Sequence, residues 1–264
     1  MYIALENITY GYDYEKPLLK DLSLSIDKGQ SVALMGANGC GKTTVLKILS
    51  GILPLVKGKY VFDGTEITPQ VLKNKKTSRL FHQRIGYVFQ NSENQLFCPT
   101  VEEEIRFGLE QMGLSDEVIE GRVADVLALL HIEGLRHSVP YHCSGGQQKR
   151  IAIAAVLAMN PDMIIMDEPM AALDPRTQVL LLDILQQLHE EGKTLLIATH
   201  DIHMVHEMVK RIVLFGEDHS LVADGKAVDI VQQAGLLKKV NLVDPHYHVH
   251  VHHHQGDEEL HLHN

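Results

Sequence analysis

Gly36-Ala37-Asn38-Gly39-Cys40-Gly41-Lys42-Thr43 follows the apolar run Ser31-Val32-Ala33-Leu34-Met35 and precedes a helix-forming stretch from Thr44 to Ser50. A short buried strand that feeds a glycine-rich turn and then a helix leaves few folds open. The glycines let backbone N–H groups turn inward around phosphate oxygens, and the positive N-terminal end of the helix faces the same anion. Lys42 supplies mobile positive charge for the β- and γ-phosphates, and the Thr43 hydroxyl is placed to ligate magnesium.

Ser144-Gly145-Gly146-Gln147 lies downstream and has two readings. Ser-x-x-Gln fits a capping box that starts a helix through Lys149 to Met159. Two glycines in a first turn each cost about 1 kcal/mol relative to alanine, a penalty that makes sense where backbone must approach a second phosphate surface.

Two further apolar runs end in titratable groups. Met163-Ile164-Ile165-Met166 stops at Asp167-Glu168-Pro169, and Thr194 to Thr199 stops at His200-Asp201. In an open parallel sheet, ligands sit beyond the carboxyl ends of the strands. There Asp167 can hold magnesium through water, Glu168 can orient and deprotonate an attacking water, and His200 can contact a γ-phosphate.

With these motifs in order, the segment from about Ile3 to Leu242 resembles the nucleotide-binding subunit of an ABC transporter. The resemblance makes Gly36 to Thr43 the Walker A loop, Gln90 the Q-loop glutamine and Ser144 to Gln147 the signature. It makes Asp167 and Glu168 the Walker B end, Ala171-Ala172-Leu173-Asp174 the D-loop and His200 the switch histidine. It implies an α/β P-loop fold of the ABC ATPase type, with a mostly parallel sheet core and a helical subdomain insertion. It further implies ATP and Mg2+, with Gly36, Ala37, Asn38, Gly39, Cys40, Gly41, Lys42, Thr43, Thr44 and Gln90 around the nucleotide. Thr43, Gln90 and Asp167 would hold Mg2+, while Lys42, Glu168 and His200 would be catalytic. Ser144, Gly145, Gly146 and Gln147 would contact the nucleotide of a second subunit. Tyr12 falls where the family stacks an aromatic ring on adenine, with Tyr10 as the competing candidate.

Val88 to Phe97, followed by Pro99-Thr100-Val101-Glu102-Glu103-Glu104-Ile105, is similar to the ATPase of energy-coupling factor importers, which take up vitamins or transition-metal ions. Cys40, Cys143 and Met170-Ala171-Ala172 depart from the family's usual Ser, Leu and Thr-Ala-Gly; none of these changes removes a group with a chemical role.

A chain of 264 residues that is 45% hydrophobic can bury a sizeable core. The expected organisation is an ATPase domain at 1–243, with its core at 1–89 and 161–243 and a helical subdomain at 90–160, and a tail at 244–264. Within the helical part, Val123, Val126, Leu127 and Leu130 share one face.

A net charge of −10, with no basic stripe, argues against nucleic acid as a partner. The sequence contains no run of about 18 apolar residues, and its first residues lack the charged-then-apolar order of a signal. The chain is expected not to span a membrane itself, and the resemblance implies a peripheral location at the cytoplasmic face of the cell membrane. The resemblance implies as partners a second ATPase subunit, a homodimer before a heterodimer, with a transmembrane coupling subunit and a substrate-binding membrane subunit. Cys40, Cys98 and Cys143 lack metal spacing and suit a reducing compartment. Cys40 is either a thiol activated by the phosphate loop or a quiet buried one.

The tail holds eight of the 17 histidines: His246, His248, His250, His252, His253, His254, His261 and His263. Imidazole suits nickel, cobalt, zinc and copper, and alternation would place several rings on one face of an extended segment. A tag or a disordered polar end are the plainer alternatives, but valine, tyrosine and acids interrupt the run. The expected activity is ATP hydrolysis that powers nickel or cobalt import through separate membrane subunits, with Ni2+ or Co2+ at the tail. The alternatives are the ATPase of a vitamin importer, or a nucleotide-regulated metal-storage or chaperone protein.

Overall fold

The computed structural model describes residues 1–13, 16–202, 205–243, 248–254 and 257–263. The chain opens with strands β1 (Ile3–Tyr10) and β2 (Leu19–Ile26), then the fully buried β3 (Ser31–Met35) and helix α1 (Lys42–Leu49). Next come β4 (Lys57–Phe62), β5 (Thr65–Glu66), α2 (Pro69–Lys73), α3 (Lys75–Arg84) and β6 (Ile85–Val88). Three helices follow without an intervening strand: α4 (Val101–Met112), α5 (Asp116–Leu129) and α6 (Gly145–Ala158). The chain then alternates through β7 (Met163–Asp167), α7 (Pro175–Glu190), β8 (Thr194–Thr199), α8 (Val205–Met208), β9 (Arg211–Phe215) and β10 (Leu221–Lys226). Helices α9 (Ala227–Val231) and α10 (Ala234–Lys239) come next, and β11 (His248–His254) pairs antiparallel with β12 (Asp257–His263).

The six-stranded sheet runs β10-β9-β3-β8-β7-β6, with every pair parallel except β9–β10. Its central strands β3, β7 and β8 are buried at every position, as expected for strands covered on both faces. Alternation along each strand divides the core in two. Ala33, Met35, Ile164, Met166, Leu195 and Ile197 face the cluster that includes α4 to α7. Val32, Leu34, Met163, Ile165, Leu196 and Ala198 face the other cluster, which contains α1 and the residues of β1, β2 and β4.

Not every strand of residues 1–89 joins that sheet. β2-β1-β4-β5 form a separate antiparallel sheet, and β1, β2 and β4 each carry exposed as well as buried positions, as a sheet with one face on the core does. The Val123 face holds: Ile119, Val123, Val126, Leu127 and Leu130 are all buried.

Register positions the site. Met35 pairs with Thr199 and Asp167 with Ala198, so β3, β7 and β8 end on one level and Gly36, Glu168 and His200 leave the sheet side by side.

Candidate functional site

The loop between β3 and α1 is shaped by glycine. Gly36 has φ 151°, and a Cβ there would meet Cys40 Sγ at 2.7 Å and the Phe215 carbonyl oxygen at 2.8 Å. Gly41 caps α1 with φ 109° and no side-chain cap, which leaves the first-turn N–H groups for an anion. Lys42, though only 6% exposed, is held by its own loop: Nζ donates to the Gly36 and Ala37 carbonyls at 2.7 and 3.2 Å. Burial pushes the Cys40 thiol above its ordinary range, more than the nearby Lys42 charge lowers it, so Cys40 is the quiet buried thiol.

A cavity of about 400 Å³ opens over this loop, lined by Tyr12, Leu18, Asn38, Gly39, Gly41, Lys42, Thr43, Thr44, Gln90, Asp167 and Glu168. Gly36, Ala37 and Cys40 do not line it; they set the path of the loop behind it. Tyr12 is exposed at the cavity edge with its hydroxyl 3.3 Å from Thr44 Oγ1, while Tyr10 is buried and meets Tyr12 edge-on, the centroids 5.4 Å apart.

Thr43 Oγ1 donates to Asp167 Oδ2 at 2.8 Å, joining the start of α1 to the end of β7. Burial pushes the Asp167 carboxyl up, the Thr43 hydroxyl pulls it down, and Glu168 pushes it up again. Hydroxyl, carboxylate and the Gln90 amide are hard oxygen donors facing one cavity, a set that fits Mg2+.

Glu168 is 7% exposed and takes the left-handed backbone conformation at φ 48°, which costs a non-glycine residue about 1–3 kcal/mol. The surroundings hold it there. Its N–H donates to the Ala198 carbonyl at 2.9 Å, Thr199 Oγ1 donates to Oε2 at 3.3 Å, and His200 Nδ1 lies 2.8 Å from Oε1. His200 is outside the first cavity. It lines an adjoining one of about 530 Å³ with Ala171, Ala172, Leu173 and Asp201, and Glu168 borders both.

Ser144 to Gln147 lie outside both cavities. The capping box is formed: Ser144 Oγ accepts from the Gln147 N–H, and Gln147 Oε1 accepts from the Ser144 N–H. A Cβ at Gly145 would meet nothing within 4 Å, so the first turn of α6 presents open backbone. His246 lies outside the described residues. For His248, His250, His252, His253, His254, His261 and His263 the description extends to backbone pairing alone, with His248 opposite His263 and His250 opposite His261.

One residue escaped the sequence reading. Lys149, on the second turn of α6, donates from Nζ to the Phe89 and Gln90 carbonyls, both at 3.0 Å. Only its place two residues after the Ser144-to-Gln147 motif hinted at it.

The sequence profile of the family described as "ABC transporter" matches residues 19–171. The nickel import ATP-binding protein LarO of Lactiplantibacillus plantarum is 42% identical over 88% of this chain and 95% of its own. The energy-coupling factor transporter ATP-binding protein EcfA of Methanothermobacter thermautotrophicus is 35% identical over 91% of this chain and 76% of its own. A bacterial ABC transporter cassette, MJ0796, solved as a dimer, superposes with a TM-score of 0.78 at 32% identity, over 85% of this chain and 98% of that one. This chain therefore belongs to the ABC transporter ATPase family, whose members bind ATP with Mg2+ and hydrolyse it as dimers that work with membrane subunits.

Proposed function

We propose that this chain is the peripheral, cytoplasmic-face ATPase of a transition-metal importer that carries nickel or cobalt, working as a homodimer. The observation that carries the metal is the eight-histidine tail at the end of a chain 42% identical to a protein named for nickel import. Among the described residues no helix is long and apolar enough to cross a membrane, which fits a subunit that energises a path formed by other chains.

In this reading Tyr12 forms a platform for adenine. Lys42 and the N–H groups of the loop hold the phosphates, and Thr43, Gln90 and Asp167 would hold Mg2+, which would supply neutralisation of phosphate charge. Glu168 takes the proton of the attacking water, and His200, bonded to it, keeps its carboxylate aimed. The open first turn of α6, out of reach of its own cavity, completes the site of the other subunit. Neutral imidazoles of the tail bind the metal.

The membrane partner needs a surface, and one lies beside the Gln90 segment. Phe97 and Phe107 are exposed, pack edge-on with centroids 5.0 Å apart, and border a groove of about 350 Å³. Glu104 fixes the loop that presents Phe97 by accepting the Phe97 and Cys98 N–H groups at 2.9 and 2.8 Å.

An energy-coupling factor importer of another substrate is the second reading, favoured by the likeness to EcfA. ATP-dependent uptake into vesicles holding this chain with its co-purified membrane subunits separates the two. Accumulation of nickel or cobalt supports the first reading, and uptake of a vitamin without either metal overturns it.

A further inference from the structure

Gln148, Lys149 and Arg150, consecutive on α6, each reach backbone carbonyls of a different loop. Gln148 Nε2 donates to Pro140 at 3.3 Å, and Arg150 Nη1 donates to Leu130 and His131, both at 3.2 Å. These two ties stay among the helices that follow β6. Lys149 is different: its Nζ reaches the carbonyls of Phe89 and Gln90, where the chain leaves the six-stranded sheet.

Lys149 is 3% exposed, and the partners of its ammonium are two neutral carbonyls. An ammonium in such a place carries a desolvation cost that a neutral side chain of the same length would avoid. Burial lowers its pKa to about 8, and Asp167 and Glu168 are the groups that pull it back up. The ammonium thus spans the helix that begins at Ser144, the backbone of Gln90 and the field of the two carboxylates. Gln90 itself is exposed and lines the cavity, so the clamp on its carbonyl fixes its backbone and leaves its side-chain amide uncommitted to the clamp.

We propose that Lys149 is a positioning residue for ATP hydrolysis: it ties the backbone of Gln90 to α6, so that displacement of the Ser144 end of α6 is delivered to the Gln90 amide. This rests on the reading of Gln90 as a magnesium ligand. A purely structural pin would change stability and leave the chemistry alone. A positioning residue changes turnover and its Mg2+ dependence while ATP binding survives.

The test is a double-mutant cycle on full-length protein with Lys149→Met, which keeps length and loses the donor, and Gln90→Ala. Lys149→Met is expected to lower kcat about tenfold or more, with Kd for ATP within about threefold, and to raise the Mg2+ concentration for half-maximal turnover. Added to Gln90→Ala, the same change should cost less than about twofold, because the residue through which it acts is gone. Lys149→Gln, which retains a donor, should recover part of the loss and carries the same cycle if the methionine variant does not fold. Turnover and Mg2+ dependence within about twofold of wild type in both Lys149 variants, or effects that multiply fully with Gln90→Ala, would overturn the proposal. A silent Gln90→Ala would instead overturn the reading of Gln90, and this inference with it.

Discussion

Glu168 Oε1 and His200 Nδ1 lie 2.8 Å apart, linking the residue after β7 to the residue after β8. The contact exists because Asp167 pairs with Ala198 in the parallel register, which brings two remote segments to one level of the sheet. It also restrains the carboxylate best placed to activate water. Glu168→Gln should therefore bind Mg-ATP and slow turnover by about a hundredfold or more, since geometry survives and the base does not. Size-exclusion chromatography with ATP should show a nucleotide-dependent dimer. A monomer at all protein concentrations, or near-wild-type turnover, would refute the assignment.

Ser144→Arg tests the site across the dimer. Ser144 caps α6 and lies outside its own chain's nucleotide cavity. The substitution should leave ATP binding by the isolated chain intact and abolish hydrolysis. Losing the cap should also lower stability by about 1 kcal/mol. Equilibrium binding of a fluorescent ATP analogue checks this; loss of binding by the monomer would place Ser144 in the same-chain pocket.

The thiols titrate high. Burial and then Glu104 push Cys98 up to about 11, and burial raises Cys40 and Cys143. A raised thiol pKa means less thiolate at neutral pH, so alkylation should be slow for all three and slowest at the buried Cys40. The rate at Cys98 should climb as pH rises toward about 11. Iodoacetamide labelling read by mass spectrometry decides it. Rapid, pH-independent labelling of Cys40 at pH 7 would contradict the buried-thiol assignment.

Gly86 lies where β6 meets α6. A Cβ there would come within 2.4 Å of Val156 Cγ1 and 3.0 Å of Pro161 Cγ. Gly86→Ala should destabilise the protein by about 1–3 kcal/mol through overpacking, seen as a lower midpoint in urea. An unchanged midpoint would show that α6 can retreat freely.

The tail prediction concerns metal and pH. Neutral imidazole is the ligand, so nickel or cobalt binding should be present at neutral pH and fade as pH falls below the reference histidine value of about 6.5. Removing residues 246–264 should abolish this binding and leave basal ATP turnover unchanged, because the residues that line the nucleotide cavity end at Glu168. Calorimetry on both forms is the measurement. Equal metal affinity in the truncated form would exclude the tail as the binding site.

Local signals in the sequence were strong wherever one segment sufficed. The apolar runs of β3, β7 and β8 showed themselves as buried parallel strands because residues covered on both faces cannot alternate. The glycines before Lys42 and the Ser144–Gln147 cap were legible for the same reason: each solves a backbone problem within a few residues. The antiparallel sheet was not legible. Its strands β1 and β2 carry charged positions and register shifts that only pairing explains.

By itself, then, the sequence determined the phosphate loop, the strand ends that carry Asp167, Glu168 and His200, and the family. Tertiary structure alone decided which side chains meet. It put Tyr12 rather than Tyr10 at the cavity, buried Cys40 behind the loop, and brought Lys149 onto the Gln90 backbone from 59 residues away. The reason is physical: turns, caps and strands answer to neighbours a few residues apart, whereas a contact between remote segments depends on sheet register and on how a helix packs across it.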